Sequence, residues 1–95
     1  MSRNKYFVQV DIAADEKMYN HIRFLARVSV MAAERLFVAL KKAIDSLEDS
    51  PKSCPLYISQ RPIDAELRYK LCGKRYKIVF EVIGNDVFVY DTPAV

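Results

Sequence analysis

Glycine and proline are scarce in this chain, with two glycines and four prolines in 95 residues, too few for a collagenous, low-complexity or loop-dominated scaffold. Long regular elements are expected. His21 is the only histidine, and Cys54 and Cys72 form no CxxC pair, so a zinc site would lack its usual ligands. No metal and no cofactor is expected, and both cysteines are expected as reduced thiols, since a chain this rich in apolar residues folds without a disulfide framework. Long apolar runs are missing too. Val28 to Ala33 and Ile78 to Ile83 are far shorter than a membrane span and enclose Ser29 and Glu81. Gln9 and Asp11 interrupt the amino end where a signal peptide is uniformly apolar. The expectation is a cytoplasmic protein with no membrane partner. No GxGxxG, Walker, HExxH or GxSxG pattern occurs, which leaves nucleotide-dependent and serine-hydrolase chemistry without support.

What the chain does have is a large apolar share, 52% hydrophobic against 28% charged. That is enough to fold one core, and its length implies a single domain over residues 1–95 rather than a two-lobed enzyme. Net charge is only +3, but it is unevenly spread. Residues 52–77 hold Lys52, Arg61, Arg68, Lys70, Lys74, Arg75 and Lys77 against Asp64 and Glu66. A basic segment on a nearly neutral body fits a phosphate-binding or acidic-partner surface.

Over residues 5–12, Tyr6, Val8, Val10 and Ile12 alternate with Phe7, Gln9 and Asp11, which predicts a first strand. From Asp15 the spacing of Met18, Ile22 and Leu25 turns helical, to about Val28. Ser29 then offers a cap to a second helix whose stripe runs Ala33, Leu36, Phe37, Leu40, Ile44 and Leu47, ended by Ser50 and Pro51. Three of the four prolines fall in 51–64, read as an irregular connection. Ala65 to Cys72, Arg75 to Ile83 and Asp86 to Asp91 alternate as strands, and Gly73-Lys74 and Gly84-Asn85 between them suit two-residue type II′ turns. The fold class is therefore α+β in the order βααβββ, a helical hairpin packed on one face of a mainly antiparallel sheet.

If Gly73-Lys74 is the whole first turn, Leu71 faces Tyr76, Lys70 faces Lys77, Arg68 faces Val79 and Glu66 faces Glu81. The helix-covered face then carries Tyr69, Ile78 and Asp91 in one row. The uncovered face gathers Lys70, Lys77 and Thr92, then Arg68, Val79 and Tyr90, then Glu66, Glu81 and Phe88. Like charges directly opposed across strands destabilise a sheet, so Lys70 against Lys77 points to an anion site, with Tyr90 or Phe88 as a stacking platform for a base. The phosphate-binding set is then Arg68, Lys70, Lys74, Arg75, Lys77 and Tyr90. The assignment depends on register, because a slip of one residue moves every side chain to the other face. The plain alternative is that the lysines splay into water. His21 reads as a surface or half-buried residue, Cys72 as an ordinary exposed thiol, and Tyr19, Tyr57 and Tyr69 as packing residues.

The run Glu66-Leu-Arg-Tyr-Lys-Leu-Cys-Gly-Lys-Arg-Tyr-Lys-Ile-Val-Phe-Glu-Val, followed by Gly84-Asn85 and Val87-Phe-Val, resembles the RelE/ParE toxin family. Ala32-Ala-Glu-Arg-Leu and the closing Ser-Leu-Glu-Asp-Ser-Pro resemble its helical hairpin, so the similarity covers residues 5–91. The resemblance implies the toxin component of a type II toxin-antitoxin (plasmid stabilisation) system, with a cognate antitoxin as partner. Its RelE-like members are ribosome-dependent mRNA endonucleases, and its ParE-like members inhibit DNA gyrase. By position, the nuclease's basic cluster falls on Arg68, Lys70 and Lys77, which become the candidate catalytic residues. An arginine at 68 can bind phosphate but is a poor general base, leaving that role to Lys70. The family's nucleases also carry an arginine and often a tyrosine or histidine beyond the last strand, where this sequence reads Tyr90-Asp-Thr-Pro-Ala-Val. A gyrase inhibitor and a non-catalytic basic module that binds RNA or protein remain the alternatives.

Overall fold

The computed structural model describes residues 5–58 and 65–95. A short strand β1 (Phe7–Val10) leads into helix α1 (Ile12–Ala26) and helix α2 (Val30–Ser46). A 3-10 turn at Pro51–Ser53 follows, then β2 (Leu67–Cys72), β3 (Tyr76–Ile83) and β4 (Asp86–Asp91). The helices pack against a four-stranded sheet in the order β1-β4-β3-β2. β1 runs parallel to β4, and the remaining pairs are antiparallel. This is the expected α+β layout, a helical hairpin with a mainly antiparallel sheet.

Local chemistry sets the boundaries. Ser29 caps α2 by accepting the Ala32 amide at 3.1 Å, which satisfies one of the amides that a helix start leaves unpaired. Helix α1 starts at Ile12, three residues before the predicted start, because the Asp11 carbonyl already accepts the Asp15 amide at 3.0 Å. Its C-cap is Arg27, and only Arg27, Val28 and Ser29 separate it from α2. No described helix is long and apolar enough to cross a membrane.

One core joins both layers. Met18 from α1, Leu36 and Leu40 from α2, and Ile78, Phe80, Val87 and Val89 from the sheet are buried together. Phe80 lies at its centre with no exposed surface. Truncating such a phenylalanine to alanine costs about 3–5 kcal/mol, a large part of the 5–15 kcal/mol that holds a typical domain together.

The second hairpin has the expected register. Val82 pairs with Val87 and Phe80 with Val89, closed by Gly84-Asn85 with Gly84 at φ +61°. Positive φ at the first loop residue alone is the signature of a type II′ turn. Beyond Phe80 a bulge intervenes: Val79 pairs with Asp91, so Tyr90 is the extra residue on β4. The bulge shifts Thr92 away from the open face and buries it completely. There its hydroxyl lies 3.5 Å from the Ala14 carbonyl, and its own carbonyl accepts a hydrogen bond from His21 Nε2 at 2.8 Å.

The first hairpin differs from the expectation. Cys72 pairs with Tyr76, Leu71 with Lys77, Lys70 with Ile78 and Arg68 with Phe80. The loop is therefore three residues, Gly73-Lys74-Arg75, and the register is one residue out from the predicted one. That single step inverts β2. Arg68, Lys70 and Cys72 share the side of Phe80, Ile78 and Tyr76, while Leu67, Tyr69 and Leu71 share the side of Glu81, Val79 and Lys77. Cys72, expected to be exposed, is buried at 2% exposure. Tyr69 leaves the predicted core row and packs against Tyr57 on the opposite face, ring centroids 6.2 Å apart. The segment around Tyr57 lies along β2, with Leu56 bridged to Arg68 and the Tyr57 amide bonded to the Leu67 carbonyl at 2.7 Å.

Candidate functional site

The register decides the fate of the proposed anion face. Lys70 and Lys77 lie on opposite sides of the sheet and do not converge, and Arg68 goes with Lys70. Each of the three is held by its own chain. Lys70 is half-buried and donates to the Ser46 hydroxyl at 2.5 Å, at the last residue of α2. Ser46 in turn donates to the Ala43 carbonyl at 2.6 Å. Arg68 donates to the Cys54 carbonyl at 2.6 Å and pairs with Glu66 at 3.0 Å. On the far side, the Lys77 ammonium sits over the Tyr69 ring at 4.7 Å and the Tyr57 ring at 5.8 Å, a cation–π arrangement.

The position of Lys70 has a structural cause. A helix end exposes unpaired carbonyls and carries partial negative charge, which favours a cation, and α2 has no basic residue in its last turn. Lys70 supplies that charge from the sheet. The serine hydroxyl is already committed to a backbone carbonyl, and the lysine donates to it rather than accepting its proton. The pair therefore acts as a helix brace, and the lysine is engaged within the chain rather than facing an open reaction site.

The expected aromatic platform shares a face with Lys77, since Phe88 pairs with Glu81, but lies across the sheet from Arg68 and Lys70. Phe88 and Tyr90 lie nearly parallel, with centroids 6.5 Å apart and 13° between planes, but the Tyr90 hydroxyl donates to Glu81 at 2.8 Å. That bond, together with some burial and the Glu81 charge, raises the phenol above its usual pKa. A carboxylate beside the platform repels the phosphate that a stacked nucleotide would carry. Cys54 stands near Lys70 and Arg68, yet burial outweighs both cations and pushes its thiol up, and burial alone raises Cys72. Neither is an activated nucleophile. His21 is half-buried, as expected, with its ring tilted against Tyr76 at 4.6 Å between centroids and bonded to the Thr92 carbonyl. Among the described residues, no three His, Cys, Asp or Glu side chains come together as metal ligands.

Lys74 and Arg75, the remaining members of the predicted set, are exposed on the three-residue loop. They flank a groove between that loop and the helical hairpin, with Arg35 of α2 on its other side. Arg35 was not singled out from sequence. The only signal it gives is its place on the helical face of Ala32, Leu36 and Ala39, which becomes informative once the loop is known to lie opposite. Arg61 falls outside the described residues.

A second concave surface runs along the outside of the hairpin. Met18, Tyr19, Ile22, Phe37, Leu40 and Ile44 line a cavity of about 270 Å³, with Asp15, Lys41 and Asp45 on its rim. Tyr19 and Phe37 are more than half exposed. A patch of large apolar side chains rimmed by charge is the usual signature of a protein interface. Sequence periodicity pointed to Phe37 as core, because the stripe on α2 is wider than the sheet can cover.

Among known proteins, no family model matches the chain and no curated protein matches its sequence.

Proposed function

We propose that the protein is a RelE/ParE-type toxin component of a type II toxin-antitoxin (plasmid stabilisation) pair, and that it acts by binding protein rather than by cleaving messenger RNA. The observation that carries the second half is the placement of Lys70 and Lys77 on opposite faces, each engaged within the chain. In-line attack by a ribose hydroxyl needs cations and a base converging within about 3 Å of the reacting atoms. The first half is supported by the residue resemblance over 5–91 and by the element order and helix-on-sheet layout that it implies. The apolar channel between Tyr19 and Phe37 suits the apolar face of an amphipathic antitoxin segment.

The test is induction of the chain in a bacterial host, followed by mapping of messenger ends on translating ribosomes. The expected outcome is growth arrest with intact messenger, and a supercoiling assay with purified gyrase then asks whether gyrase is the target. New messenger ends that vanish in a Lys70→Ala, Lys77→Ala double variant would restore the nuclease. Unimpaired growth would remove toxicity and leave a binding module.

A further inference from the structure

The groove beside the first hairpin loop differs from the outer hairpin channel in its charge. Its floor is apolar, built from Leu25, Leu36, Ala39 and Tyr76, and its volume is about 390 Å³. Such a volume falls within the range of pockets that accept a small ligand or anchoring side chains. Its charged lining is entirely basic: Arg35 from one wall, Lys74 and Arg75 from the other, with no carboxylate among them. All three are exposed, and among the described residues none is in an ion pair. This sets them apart from Arg68, Lys70 and Lys77, each of which has an internal partner.

Three unpaired cations around an apolar trough repel one another, and a ligand that brings carboxylates together with an apolar group relieves that repulsion while burying the floor. From this complementarity we infer that the groove is a docking site for an acidic peptide segment that places an aliphatic side chain on Leu36 and Ala39 and flanking Asp or Glu carboxylates against Arg35, Lys74 and Arg75. The loop that carries two of the cations is closed by the Cys72–Tyr76 pair and turned by Gly73 at φ +61°, so their backbone is fixed before the segment arrives. Fixed donors lower the ordering cost of binding. Nucleic acid fits less well, because a phosphate backbone has no aliphatic group for the floor. The inference rests on the reading of the chain as a protein-binding component and is indifferent to whether it is toxic.

The experiment titrates the ¹⁵N-labelled full chain with short synthetic peptides of Glu-Glu-Leu, Glu-Glu-Ala or Lys-Lys-Leu repeats and follows amide shifts. The expected result is saturable binding of the Glu-Glu-Leu peptide alone, with shifts at Ala32, Ala39, Gly73 and Tyr76. A Lys74→Ser, Arg75→Ser double variant should bind it roughly tenfold more weakly, the loss of two exposed ion pairs. Equal binding of the Glu-Glu-Ala peptide would reduce the site to charge attraction and overturn the inference, as would equal binding of Lys-Lys-Leu or no binding at millimolar peptide. Displacement by decanoate at lower concentration would assign the groove to a small anionic amphiphile instead. Shifts confined to the channel around Tyr19 and Phe37 would overturn the docking site while leaving the proposed function intact. Growth arrest is read separately and does not enter this result.

Discussion

Lys70 of β2 reaches across to Ser46, the last residue of α2, and donates to its hydroxyl at 2.5 Å. The bond ties the edge strand to the helical layer and neutralises a helix end that has no basic residue of its own. Removing either partner should therefore destabilise the fold. Lys70→Met should cost about 1–2 kcal/mol in urea unfolding, in the range of a half-buried hydrogen bond to a charged group. A double-mutant cycle with Ser46→Ala should give a coupling of at least about 0.5 kcal/mol. Additive losses would show that the two side chains act independently.

Both glycines sit at φ +61° with open space where a Cβ would be built, so substitution there is opposed by backbone strain and not by crowding. Gly73→Ala and Gly84→Ala should each lower stability by about 1–2 kcal/mol. Gly84→Asn should cost about as much as Gly84→Ala, since the first position of a type II′ turn lies outside the left-handed helical region that asparagine tolerates. Thermal unfolding of the three variants provides the comparison.

Burial raises the thiols of Cys72 and Cys54 above the usual range. In the unfolded chain these groups lose their protons at lower pH than in the folded one, so the folded state binds more protons between the two values. Stability should be flat below the ordinary thiol pKa and fall as pH rises through it toward the raised value. A Cys54→Ala, Cys72→Ala variant, while less stable from the Cys72 cavity, should lose that alkaline slope. Alkylation at mildly alkaline pH should be slow at Cys54 and slower still at buried Cys72, as followed by mass spectrometry.

The Lys77 ammonium lies over Tyr69 and Tyr57. Lys77→Ala should cost about 0.5–1 kcal/mol, the range for a cation–π contact at a partly exposed site. Lys77→Arg should retain most of it, because guanidinium also stacks on aromatic faces. Equal losses in the two variants would mean that the ring contact contributes nothing.

The two hairpins show why one register was legible and the other was not. At Gly84-Asn85, aliphatic residues on both flanking strands require the same side, and Val82, Val87, Phe80 and Val89 admit one alignment. At Gly73 the alternating pattern of β2 misleads. Leu67, Tyr69 and Leu71 look like a core face, but they turn away from the helices, and the segment that carries Tyr57 packs against Tyr69 there. Glycine also serves loops of two and of three residues, so its position alone does not fix the count. The helix pair was legible because Ser29 and the apolar stripes agree. The cationic cluster was not, since Lys70 answers to a helix end that is distant in sequence. Arg35 joins Lys74 and Arg75 only through tertiary contact between α2 and the loop.

The separation of Lys70 from Lys77 is best tested by side-chain NOEs in the folded chain. The account predicts contacts from the Lys70 ε-protons to Ser46 and from the Lys77 ε-protons to the Tyr69 ring. Direct contacts between the two lysine side chains, with Lys77 silent toward Tyr69, would contradict it and place both cations on one face.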